Sequence, residues 1–173
     1  MFGWRGGAGR GNNMTLNGKA MSALALPVIA GSRFLIGALE HVPAALPVLL
    51  LRCGVALVFW RSGLTKLPIG NDMTVFLFEA EYQVPVLPAA LAAYLATAIE
   101  LIVPWLLVVG VGARVGAALL LAETLVIQVF VYPQHYPEHL LWAGPLLYVL
   151  LRGPGPWSVD HLIRRHVIES SSK

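Results

Sequence analysis

Residues 89–109 read AALAAYLATAIELIVPWLLVV, an apolar run broken by a single acid, Glu100. At 1.5 Å rise per residue, a helix of this length reaches about 30 Å, the thickness of the hydrocarbon core of a bilayer. A soluble helix keeps a polar face, and this run has none, so lipid is the solvent it suits. Placing an acid at such depth costs on the order of 3 kcal/mol even on lenient insertion scales. Such a residue is paired, hydrated or functional. Arg52 and Glu123 break neighbouring apolar runs in the same way.

Outward from this segment the chain repeats the pattern. Three more hydrophobic blocks run from about Leu46 to Leu64, from Ala113 to Tyr132, and from Leu140 to Leu151 with its flanks. The last is short. It crosses only if it begins near Pro137, a first-turn proline, and ends by Arg152, where Gly153, Pro154, Gly155 and Pro156 stop a helix. Composition agrees: 57% of the 173 residues are hydrophobic and 12% charged, with mean hydropathy +0.72. That is about half the charge of an ordinary soluble domain. The expected architecture is all-α: an integral membrane four-helix bundle over 43–153, preceded by a short amphipathic N-terminal helix.

Charge asymmetry orients the blocks. Arg5, Arg10, Lys19 and Arg33 precede the first span, Arg114 lies in the second connection, and Arg152, Arg164, Arg165 and Lys173 follow the fourth. The first connection sets Asp72, Glu79 and Glu81 against Arg61 and Lys66, and the third carries Glu138 alone. The positive-inside rule therefore predicts both termini in the cytoplasm. The pI of about 9.3 reads as this sidedness. Without a basic patch that has motif or aromatic support, nucleic acid is not an expected partner; membrane lipid is. Residues 1–20, rich in Gly and Asn, read as a disordered extension. Residues 21–42 read as a helix on the cytoplasmic face rather than a cleaved leader, because Pro27, Gly31, Arg33 and Glu40 interrupt the apolar stretch. Residues 154–173 form a cytoplasmic tail.

Depth decides whether the buried charges meet. Counted from the cytoplasmic ends of their blocks, Arg52 lies roughly 9 Å in, Glu100 roughly 13 Å and Glu123 roughly 14 Å. An Arg52–Glu100 or Arg52–Glu123 pair is expected, with one acid left for a proton, water or a ligand. Thr97, one turn from Glu100, and Thr124 and Gln128 extend the polar set. The competing reading is that these groups only tie helices together, at about 0.6 kcal/mol per hydrogen bond. The lone Cys53 forms no intramolecular disulfide and reads as a small buried thiol. On the outer side stand Arg61, Ser62, Lys66, Glu79, Glu81, His135, Glu138 and His139. His135 and His139 are four apart, but Pro137 breaks their register, so no metal site is expected. Residues 72–82 fit a short amphipathic helix on the outer surface, and Trp60, Tyr82, Tyr132 and Tyr136 an aromatic belt.

FWRSGLTKL from Phe59, FEAEYQVPVLP from Phe78, ATAIELIVPWLLVVG around Glu100 and LVIQVFVYPQHYPEHLLWA from Leu125 together resemble the DoxX family of small bacterial membrane proteins. The resemblance covers about 46–152 and implies a four-helix protein of the bacterial inner membrane. Family members include a subunit of a quinone-linked sulfur oxidoreductase and components of metal and thiol stress systems, so fold is implied more firmly than chemistry.

Two functional classes follow. In one, the protein is a redox-associated subunit with a quinone or small-substrate site between its helices. Glu100 and Glu123 then handle protons, while Arg52, Thr97, Gln128, Arg61, Lys66 and His139 contact the bound molecule or an anionic sulfur donor. In the other, it is a non-catalytic membrane scaffold or a helper in a metal or thiol/oxidative stress system, with redox or metal-handling subunits or a second copy of itself as partners. The sequence contains no nucleophile with a base, no phosphate loop and no metal cage, so independent catalysis is not expected.

Overall fold

The computed structural model describes residues 31–34, 36–85 and 87–171. The expected disordered extension, and the first part of the N-terminal helix, lie outside them. Residues 1–43 form a unit of their own, in which 31–34 and 36–40 are helical and Phe34, Ile36 and Leu39 are exposed.

Residues 44–173 form the second unit. Its helices are α1 (Ala45–Thr65), α2 (Asp72–Leu77, continuing as a π-helical turn over Phe78–Tyr82), α3 (Ala89–Val109), α4 (Ala113–Val126, continuing as a π-helical turn over Ile127–Val131), α5 (Tyr136–Arg152) and α6 (Val159–Ser171). Helix α1 packs on α3, α3 on α4, α4 on α5, and α5 back on α1, which closes the four-helix bundle. Three helices, Ala45–Thr65, Ala89–Val109 and Ala113–Val131, are long and apolar enough to cross a membrane. The fourth, α5, has 17 residues with Pro137 in its first turn and Gly153 beyond its end, at the lower limit for a span.

The core is built of small and branched side chains, among them Ala56, Ala113, Ala117, Val103, Leu107, Leu120, Leu146 and Val149. Without a hydrophobic drive between helices in lipid, close van der Waals packing holds them together, and small residues permit it. The outward faces carry Leu50, Leu57, Ile102, Val115, Leu125 and Leu141, as a bundle solvated by acyl chains requires. The α3–α4 corner turns on Gly110 (φ 77°) and Gly112 (φ 56°), positive values at which a Cβ would be strained.

The helices are not level. A Cβ on Gly63 would lie 3.0 Å from Glu100 Cβ, so the end of α1 meets the middle of α3. Glu100 is eleven residues into α3, and Gly63 stands only two residues before the last residue of α1. The N-terminal end of α3 therefore overhangs α1 by about 13 Å. Helix α2 fills that space. Thr74 and Phe78 are buried, Phe78 against Ala92 and Ala93, while Met73, Phe76, Glu79 and Glu81 are exposed, so the segment has the two faces expected of a short amphipathic helix.

Candidate functional site

The stagger decides the ion pairs. Lys66, the C-cap residue of α1, folds back beside α3, and its Nζ donates to Glu100 Oε2 at 2.6 Å, Glu100 Oε1 at 2.9 Å and Ser62 Oγ at 2.9 Å. Both residues are enclosed, at 7% and 3% exposure. An isolated charge at this depth would be prohibitive, and the pair satisfies it.

Arg52 does not take part, contrary to the expectation from depth. It lies eleven residues before Gly63, about 16 Å down α1 from the Glu100 level. There its guanidinium donates to Pro154 O at 2.5 Å, Trp157 O at 3.0 Å and Val108 O at 2.7 Å. Arg52 is 1% exposed. Backbone carbonyls replace the carboxylate: the fork binds the negative end of α3 and fastens the loop after α5 to the bundle. Because the helices are offset along their axes, equal distances from their ends do not put two residues at one depth.

Above the Lys66–Glu100 floor lies a cavity of about 510 Å³. Seven rings lining it form a continuous chain of edge-on and tilted contacts. From Phe59 it runs to Trp142 (5.7 Å between centroids), His139 (5.1 Å), His135 (6.5 Å), Tyr132 (5.4 Å), Tyr82 (5.9 Å) and Phe78 (4.9 Å). Tyr132, His135 and Glu138 are exposed and form the mouth. Both π-helical turns contribute to the wall, through Phe78 and Tyr82 and through Ile127 and Val131. Single π turns recur at functional sites, where the wider turn re-aims side chains.

Glu123 also lines the cavity. Its Oε2 is buried without a hydrogen-bond partner. His139 Nδ1 donates to Gln128 Oε1 at 2.6 Å, while Gln128 Nε2 donates to Pro133 O at 2.8 Å. The second bond turns the amide oxygen towards the imidazole and fixes the ring proton on Nδ1. At the mouth, Tyr132 Oη donates to Glu81 Oε1 at 2.5 Å and ties the end of α2 to the end of α4. The carboxylate acceptor holds the Tyr132 phenol well above its usual range. Burial pushes Tyr82 upward as well.

The remaining expected residues lie elsewhere. Thr97 is fully buried but donates to Ala93 O at 2.7 Å within its own helix, and Thr124 does the same to Leu120 O at 2.7 Å. Neither lines the cavity. Arg61 is exposed and apart from it, and Cys53 is half-buried rather than buried. Tyr82 and Tyr132, expected as belt anchors, are cavity walls, whereas Trp60 packs edge-on against Trp105 outside it. Among the described residues no group of three or more His, Cys, Asp or Glu could hold a metal ion.

A DoxX family model matches residues 47–133, the stretch that supplies Ser62, Lys66, Tyr82, Glu100, Glu123 and Tyr132. No curated protein and no solved structure matches the chain. With half of its length matched and a helical bundle of membrane-spanning character, the chain belongs to the DoxX family.

Proposed function

We propose that the bundle is the membrane subunit of a redox system and receives the ring of a quinone or quinol in the aromatic cavity. The observation that carries this reading is Glu123, which lines a space walled by seven rings and has one carboxylate oxygen buried without a partner. A volume of about 510 Å³ falls within the range of small-molecule sites. Aromatic side chains suit a ring ligand, and the orphaned carboxylate suits a ligand hydroxyl. When bound, the quinone supplies the two-electron chemistry. The chain's residues hold and orient it: Glu123 carries or accepts a proton at the ligand oxygen, the rings exclude water, and His139, held by Gln128, offers a second polar contact. Lys66 is engaged by Glu100 and Ser62, so their part is to keep the floor neutral and rigid. The same reading places both termini on the cytoplasmic side of a bacterial inner membrane, with the cavity mouth outside.

A second reading has its own support. Lys66 spends all three protons inside the protein, as a purely structural pair would, and a scaffold for redox or metal-handling partners needs nothing more.

Titration of a soluble quinone analogue into protein in lipid discs separates the two. Saturable binding that Glu123→Gln weakens by tenfold or more supports the site. Absent binding, or binding indifferent to Glu123→Gln and Glu100→Gln, leaves the scaffold.

A further inference from the structure

A second polar cavity lies at the other end of the bundle. It measures about 360 Å³ and is lined by Arg114 at the start of α4, Arg152 at the end of α5, Arg164 on α6 and the backbone of residues 153–156. Asp160 is the one carboxylate in that lining, and both its oxygens are taken: Gly112 N donates to one at 2.8 Å and Ala113 N to the other at 2.9 Å. Among the described residues none of the three arginines makes an ion pair. Three guanidinium groups and one carboxylate therefore share a concave site in which positive charge is in excess, and Arg164 Nη2 also lies 3.4 Å from His161 Nδ1.

The site is held in shape from below. Arg52 fastens Pro154 and Trp157 to the bundle, Asp160 N donates to Gly110 O at 2.9 Å, and Gly110 allows Ser158 to pack directly against the corner. Beside it, α6 turns Leu162, Ile163 and Val167 outward, and Trp157 is 50% exposed. An apolar helix face with a tryptophan next to a basic cavity, at the end of a membrane bundle, is the arrangement of an interfacial anchor.

We propose that Arg114, Arg152 and Arg164 bind a phosphate group, presented by the headgroup of an anionic phospholipid while the apolar face of α6 lies among the acyl chains. Guanidinium forks match phosphate oxygens geometrically, and a lipid source explains why the cavity adjoins an exposed apolar face. The proposal is independent of any ligand in the aromatic cavity.

The test is retention of lipid by full-length protein extracted from discs of phosphatidylcholine with or without phosphatidylglycerol, followed by native mass spectrometry. Selective retention of phosphatidylglycerol is expected, falling about fivefold for each arginine changed to Gln. Arg165→Gln, in the exposed i,i+4 pair with Glu169, should leave it unchanged. Should the triple variant not fold, Arg164→Gln alone, on an exposed helix, must still lower retention. If inorganic phosphate displaces the lipid and stabilises the protein at physiological concentration, the phosphate chemistry stands and the source is soluble. Equal retention of both lipids, or retention that ignores all three arginines, overturns the proposal.

Discussion

Lys66 Nζ lies 2.6 Å from Glu100 Oε2, across the contact that Gly63 makes possible between α1 and α3. Both groups are enclosed, at 7% and 3% exposure, so the pair is worth far less than the loss of one partner costs. Lys66→Met should destabilise the bundle by about 3–5 kcal/mol, because Glu100 is then buried alone. Adding Glu100→Leu should recover most of that loss. Denaturation of the single and double variants in a fixed detergent gives the coupling directly, and equal damage in both would show that packing, not charge, governs the contact.

Glu123 behaves in the opposite sense. Its buried oxygen lacks a partner, so Glu123→Leu, which removes the unpartnered polar group at similar size, should stabilise the ligand-free protein by about 1–3 kcal/mol. The same change should weaken any ligand that uses that oxygen. A stability gain together with a binding loss is the mark of a functional carboxylate; a stability loss would mean that Glu123 is satisfied within the fold.

Arg52 acts far from the cavity. Arg52→Gln should loosen residues 153–158 and α6, seen as faster proteolysis and amide exchange there, while quinone-analogue affinity stays within a factor of two. Arg52→Lys should rescue little. A single ammonium cannot span the three carbonyls that the two arms of the fork now reach.

The span positions and the late start of α5 at Tyr136 with Pro137 in its first turn were legible in the sequence, because lipid imposes length and apolarity on every crossing segment. The partners of the charges were not. Helix lengths carry no information about vertical offset, which here follows from one glycine contact, Gly63 on Glu100, and from the packing of Phe78 against Ala92 and Ala93. Tyr82 and Tyr132 read as belt anchors because they fall near helix ends. Only the π turns preceding or containing them carry their rings inward, and no residue spacing announces such a turn. Gly63, three positions before a lysine at a helix end, was the one signal that could have revealed the Lys66 pairing.

The Tyr132–Glu81 bond at the mouth links two π-helical segments, so its titration reports on their docking. The carboxylate favours the neutral phenol in the folded protein, which raises the folded value above the unfolded one of about 10. The stabilisation is therefore complete below about pH 10 and is lost as pH rises through the higher folded value. In the ultraviolet titration of tyrosinate, Tyr132→Phe should remove part of the late-ionising fraction. It should also abolish the fall in stability specific to that alkaline window, while Glu81→Gln should bring the Tyr132 phenol back towards the ordinary range. If the phenols of the wild type all ionise together near the ordinary value, the latch is open in solution and the mouth is wider than the bonded structure implies.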